Sequence, residues 1–149
     1  MGLDMYLDKE IYVGGEYEHR NVRGVVDISI GDENINIPLN KLSTIRMRMG
    51  YWRKANHIHK WFVDNVQDGE DNCQDAYVEM ASLEDLKHAC EQVLADHSLA
   101  HEILPVQSGF FFGSTEYDEY YFQDIEDTVK IINECIECGG GDFYYRSSW

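Results

Sequence analysis

The sequence predicts an α+β domain. It places an antiparallel or mixed sheet against three main helices, in the order β-ββ-α-α-β-α-β. Three observations predict this. Apolar and polar residues alternate on both sides of a Gly-Asp-Glu-Asn turn, the mark of a hairpin. Three longer segments carry apolar residues at helical spacing. No Pro- or Ser-rich linker and no internal repeat divides the 149 residues, so a single domain over 1–149 is expected.

The elements follow in order. "LDMYLDKEIYVGG" is rich in β-branched and aromatic residues and ends on Gly14-Gly15, so it reads as a first strand. In "VVDISIGDENINIPL", Val26, Ile28 and Ile30 alternate with polar residues before the turn, and Ile35 and Ile37 after it. Pro38 ends that hairpin because it has no N–H for a ladder. "GYWRKANHIHKWF" then puts Tyr51, Ala55, Ile58, Phe62 and Val66 on one helical stripe. His59 sits at the stripe's edge, Arg53, His57, Lys60 and Asp64 lie opposite, and Trp52 and Trp61 occupy the shoulders.

"NVQDGEDNCQDAY" is a polar loop with a turn at Asp68-Gly69. Ser82 reads as the cap of a second helix, with Glu84 and Asp85 in its first turn and Leu83, Leu86, Cys90, Val93 and Leu94 buried. Gly109 and Gly113 bracket "FFF", read as a short strand. A third helix runs from Asp118 to Cys138 on the stripe Phe122, Ile125, Val129, Ile132 and Ile136, and Gly139-Gly140-Gly141 stops it. "FYYRSS" is the last strand, read as a parallel neighbour of "FFF".

Charge is unevenly distributed. The formal net charge is −16. Yet the window 38–63 holds six basic residues, Lys41, Arg46, Arg48, Arg53, Lys54 and Lys60, and no carboxylate. A chain this acidic repels DNA and anionic membranes, so no direct DNA binding is expected. No apolar run reaches the roughly 20 residues of a membrane helix. The N-terminus lacks a signal-peptide pattern, and Tyr6 stands where myristoylation wants Ser or Thr. A cytoplasmic protein is expected.

Cys73, Cys90, Cys135 and Cys138 are scattered, and the Cys135/Cys138 pair has no second pair to complete a zinc site. His57 and His59 are two apart and point to different sides of a helix. His88, His97 and His101 place no third ligand. The sequence therefore supplies no metal site, no cofactor motif and no catalytic constellation. "GST" at 113–115 lies between a strand and a helix, but Glu116, Asp118 and Glu119 follow it and would repel a phosphate there.

"MGLDMYL", "GYWRKANHIHKWF", "QSGFFFGSTEYDEYYF" and "FYYRSSW" together resemble a family of small uncharacterised proteins encoded by bacteriophages and prophages. The likeness spans nearly the whole chain. It implies an accessory role in the bacterial host cytoplasm and carries over no catalytic residue.

The basic, aromatic segment is the candidate site. A nucleotide-like anion would meet Arg46, Arg48, Arg53 and Lys54 through its phosphate and stack on Tyr51 or Trp52. Asn56 would read a base or ribose edge, and His57 would belong to the exposed basic face. The alternative is an acidic inhibitor that mimics nucleic acid before a host protein, using Glu116, Asp118, Glu119, Asp124, Glu126 and Asp127. Tyr117, Tyr120 and Tyr121 crowd the start of the third helix and are further candidates for a stacking pocket.

Overall fold

A computed structural model describes residues 2–149. The fold class is α+β, with antiparallel sheets and helices, as the periodicities predict. The strands are β1 (Asp4–Tyr12), β2 (Val25–Ile30), β3 (Glu33–Pro38), β4 (Thr44–Arg53), β5 (Ala76–Val78) and β6 (Asp142–Ser148). The helices are α1 (Asn56–Asn65), α2 (Met80–Ala95), α3 (Ala100–Ile103) and α4 (Glu119–Cys138). Two compact units are distinguishable, residues 2–9 with Arg48–Trp149, and Glu10–Met47.

The larger unit is built on a sheet of order β4-β1-β6-β5. Leu3, Met5 and Leu7 alternate inward on one side of the chain at β1, as Phe143 and Tyr145 do on β6. Ile58 and Phe62 of α1, Leu83, Leu86, Cys90 and Val93 of α2, and Tyr121, Ile125, Ile132 and Cys135 of α4 join them in one buried cluster. Phe62 stacks flat on Tyr145, with ring centroids 3.9 Å apart. Lys9 is buried too. Its ammonium donates to the carbonyls of Gly139 (2.5 Å) and Cys138 (3.4 Å), where α4 ends. A cation there satisfies carbonyls that the helix leaves unpaired and complements its dipole.

In the smaller unit, β2 and β3 pair antiparallel from Val25↔Pro38 to Ile30↔Glu33. Gly31, at φ +60°, and Asp32 form the turn. The Ser29 hydroxyl donates to Asn34 across the strands at 2.7 Å.

Four details differ from the sequence reading. "GYWR" closes strand β4, and α1 starts only at Asn56. The run "TIRMRMGYWR" alternates apolar and polar residues, and Lys54 at φ +62° separates strand from helix. "FFF" is not a strand: Phe112 N–H closes a turn on the Gly109 carbonyl, Phe112 is buried, and Phe110 is 95% exposed. The neighbours of β6 are β1 and β5 instead. β5 forms where a polar loop was expected to continue, and α2 begins at Met80, upstream of Ser82. Within α4, Phe122 and Val129 are only partly buried, and Ile136 lies at the solvent edge. No helix among the described residues is long and apolar enough to cross a membrane.

Burial along α4 sets a graded expectation. Ile125 is fully buried and Ile136 is 38% exposed. Ile125→Ala should lower unfolding free energy by about 2–5 kcal/mol. Ile136→Ala should lower it by well under half as much, measured for both by urea unfolding.

Candidate functional site

The basic residues of β4 first meet carboxylates of β1. Arg48 pairs with Asp8. Arg53 lies 3.0 Å from Asp4, and the Tyr51 hydroxyl donates to the same carboxylate at 2.6 Å. That hydroxyl, with Arg53, holds the Asp4 carboxyl below its usual range against a smaller desolvation effect. In the smaller unit, Arg46 lies 3.1 Å from Glu10. The contacts run in opposite senses along β1 and β4, the mark of an antiparallel pair. Exposed side chains step from Arg46 and Arg48 to Tyr51 and Arg53, so the alternation slips by one at Met49-Gly50. Such a slip is what a β-bulge produces. Tyr6 lies among these groups, its ring centroid 4.3 Å from the Arg48 guanidinium carbon and 4.5 Å from that of Arg146.

Three expected site residues need correction. Trp52 offers no stacking face: it is buried, and its indole N–H donates to the Thr128 hydroxyl at 2.8 Å. Asn56 cannot read a ligand edge, because its side chain is consumed by the fold. Its amide donates to the carbonyls of Phe112 (2.9 Å) and Ser114 (2.8 Å), and its oxygen accepts from Gln107 N–H at 2.9 Å. His57 is not on an exposed face. The first turn of α1 packs against α4, and the His57 ring lies 4.2 Å from that of Tyr121. Trp52 changes role because it lies in β4 and not in the helix, whereas His57 keeps its helical position and is covered there by Tyr121 of α4.

Of the expected site residues, Arg53, Lys54, Asn56 and His57 line a cleft of about 270 Å³ within the larger unit, and Arg46, Arg48, Tyr51 and Trp52 do not. Arg53, Lys54, Asn56 and His57 supply one wall, from the junction of β4 and α1. Val106, Gly113 and Ser114 supply a second. Glu116, Asp118, Tyr120, Tyr121 and Asp124, from the start of α4, supply the third. Each wall has a local cause. Asp118 caps α4 by accepting from the N–H groups of Tyr120 and Tyr121, both at 3.1 Å. The Ser114 hydroxyl accepts from Glu116 N–H at 3.1 Å. Gly113 has φ +86°, and a Cβ there would come within 2.9 Å of Lys54 Cβ, so only glycine lets this loop pass so close.

Electrostatics divide the cleft. Lys54 has no ion-pair partner among the described residues. The Asp124 carboxyl likewise has no hydrogen-bond donor or cation on it among them. Burial, reinforced by Asp127 and Asp118, raises its pKa to about 7. His57 is only 3% exposed, and its Nε2 has no hydrogen-bond partner within the chain. Burial lowers its pKa to about 3, opposed by a backbone hydrogen bond at Tyr121. The ring is therefore neutral at physiological pH. A buried polar atom without a partner is unusual in a folded chain; among the described residues Gln67 Oε1 and Ser147 Oγ are in the same state.

The remaining titratable groups are used internally. His59 is fully buried, with Nδ1 2.7 Å from the Tyr145 hydroxyl and Nε2 2.9 Å from Asp71. Cys135 is buried, its thiol pushed up to about 12 by desolvation, while Cys138 is exposed. Among the described residues no three His, Cys, Asp or Glu side chains come together as metal ligands. The acidic cluster on α4 is dispersed: Asp118 caps the helix, Asp127 accepts from Gln123 and Lys130, and Asp124 faces the cleft. A broader groove of about 910 Å³ in the smaller unit, between Tyr17, Arg23 and Lys41, has no buried side chain along it.

Sequence reasoning missed Val106, Ser114 and Asp124 as neighbours of Lys54. The tyrosines at 117–121 and the "GST" corner were the available signals. No family model, no curated protein and no solved structure matches the chain.

Two outcomes follow from this geometry. Asn56→Ala strands a buried carbonyl at Phe112 and partly buried groups at Ser114 and Gln107, and should lower stability by on the order of 2 kcal/mol in chemical denaturation. The two shifted groups act oppositely with pH. The unfolded chain protonates His57 near pH 6.5 and the folded chain only near 3, so acidification through that window destabilises the fold. Folded Asp124 holds its proton to about pH 7, whereas the unfolded carboxyl loses it near 3.8. That contribution is full below pH 3.8 and lost as pH rises through 7. Relative to the unaltered chain, Asp124→Asn should therefore have a more favourable Tm difference at pH 8.5 than at pH 5.5.

Proposed function

We propose that this chain is a phage-type accessory protein of the bacterial cytoplasm that binds a small nucleotide-like anion in the cleft without turning it over. The observation that carries the reading is the buried, unpartnered Nε2 of His57 lining a cleft beside Lys54, a cation left without a carboxylate in a chain of net charge −16. Arg46, Arg48 and Arg53 are each answered by a carboxylate of β1, and Lys54 is not. The phosphate would sit at Lys54, with Arg53, which also holds Asp4, beside it. Tyr120, 72% exposed and lining the cleft, takes the stacking role first given to Trp52. The volume lies just under the roughly 300–1,000 Å³ of drug-sized pockets, which suits a mononucleotide with part of it in solvent.

Absence of turnover is supported by the lining groups. The Ser114 hydroxyl is engaged with Glu116 N–H, and an imidazole that protonates only near pH 3 is too weak a base to activate it. Inhibition of a host protein by acidic mimicry ranks below this reading, because Asp118, Asp124 and Asp127 are directed to partners or to a cleft inside the chain.

A thermal-shift screen against mono-, di- and cyclic nucleotides tests the proposal. A nucleotide at 100 times its Kd should add about 2.7 kcal/mol of stability. Lys54→Gln should remove most of that gain while leaving the unliganded Tm nearly unchanged. No shift with any nucleotide would overturn the reading, and an undiminished shift in the variant would move the ligand out of this cleft.

A further inference from the structure

The stretch Glu10–Met47 folds into a unit without a core of its own. None of its side chains is buried, and only the backbone at Gly14 and Gly15 is covered. It contains no cysteine, and no metal-binding cluster occurs among the described residues. Units of about 40 residues ordinarily need a disulfide, a metal or another chain to hold them. Apolar surface is nonetheless present. In the register of β2 and β3, Val26 lies across from Ile37, Ile28 from Ile35 and Ile30 from Glu33, so these side chains share one face. The other face carries Asp27, Ser29, Asn34 and Asn36. Ile28, Ile30 and Ile35 are all exposed, Ile30 at 62%. Such alternation belongs to a sheet with one face covered, and a two-stranded hairpin left alone is marginal in water.

The charges along the hairpin select the cover. At its base, Arg23 precedes β2 and Lys41 follows β3, and both line the 910 Å³ groove. At its tip stand Asp32 and Glu33. None of these four side chains has an ion pair or hydrogen bond among the described residues. Within one hairpin they cannot meet, because six residues rising about 3.4 Å each put the tip about 20 Å from the base.

We propose that a second copy of this chain covers the face, with two hairpins stacked antiparallel about a two-fold axis and each acidic tip set against the other's basic base. Ile28 and Ile35 lie at the centre of the contact. Stacking tip on tip would instead bring Asp32 and Glu33 against their own copies. The arrangement is self-complementary and closes at two chains. Repulsion is also least here: the chain has net charge −16, but Glu10–Met47 holds six carboxylates and four arginine or lysine side chains. A face of about 20 by 10 Å is far below the roughly 1,200 Å² of total surface that stable complexes bury. The dimer is therefore weak and forms with rising concentration. It stands independently of the nucleotide reading.

Sedimentation velocity from about 10 μM to about 0.5 mM tests this. The unaltered chain should move from monomer toward dimer over that range. Ile28→Thr combined with Ile35→Thr, at exposed positions and with strand-compatible side chains, should weaken the dimer at least about tenfold. Glu33→Lys or Arg23→Glu alone should weaken it about fivefold, and a chain carrying both should recover most of that loss. The two positions are too far apart in one hairpin for the recovery to arise within a single chain. Circular dichroism and thermal unfolding at low concentration confirm that each variant folds. A chain that stays monomeric throughout, or a dimer unmoved by the threonine pair, overturns the proposal and leaves the face to a different partner. A dimer that the threonine pair weakens but the double charge reversal does not restore overturns the antiparallel stacking.

Discussion

Three hydrogen bonds from the Asn56 side chain hold the segment 107–114 against the start of α1, and the cleft depends on them. That segment has no regular secondary structure to satisfy its own backbone. Its carbonyls at Phe112 and Ser114 and its N–H at Gln107 need partners, and a single buried amide supplies all three. The side chain is almost fully buried, and its bond to the Phe112 carbonyl is made away from competing water, while those to Ser114 and Gln107 are partly buried. Once the loop is fixed, Gly113 passes against Lys54 and Phe112 turns inward, edge-on to the His59 ring at 5.3 Å. Leu3 N–H, donating to the Phe111 carbonyl at 3.1 Å, and the Tyr117 hydroxyl, accepting from Val106 N–H at 3.3 Å, hold the same segment from β1's leading edge and from the approach to α4.

Helix α1 is unusual in burying three successive kinds of polar side chain, and their fates differ. Asn56 is saturated by backbone groups. His59 is saturated by side chains, Nδ1 by the Tyr145 hydroxyl and Nε2 by the Asp71 carboxyl group. Trp149 donates to the other oxygen of Asp71 at 3.1 Å, which ties the end of the chain to the same network. His57 alone keeps a buried nitrogen without a partner. Two of the three thus serve the fold, and the third is a residue that lines the cleft. Desolvation gives that ring a neutral state over the whole physiological range, so it can act as a hydrogen-bonding group but adds no charge.

The basic strand shows why charge counting along a sequence misleads. Arg48 and Arg53 lie across from Asp8 and Asp4 because alternate residues of two antiparallel strands share a face. The exposed Arg53–Asp4 pair contributes little to stability, whereas Asp8 is buried beneath Arg48. Both pairs neutralise the field that a ligand would feel. Lys54 escapes because its backbone leaves the strand at φ +62° and its side chain crosses toward Gly113.

Much of the fold was legible in residue order, because periodicity is a local property. The hairpin around Gly31, the stripe through Ile125 and Ile132, the Asp118 cap and the glycine stop after Cys138 all rest on neighbours within a few positions. The alternation in "TIRMRMGYWR" was equally local, and was masked by the helical stripe that begins inside it. The site was legible only as a neighbourhood: "GYWRKAN" and the tyrosines after "GST" do meet. Which members remain available was decided by the tertiary structure. A cation is free or paired, and an imidazole is exposed or buried, according to residues 40 to 80 positions away, such as Asp8 for Arg48 and Tyr121 for His57. Desolvation and ion pairing act through space, and no local pattern in the chain encodes them.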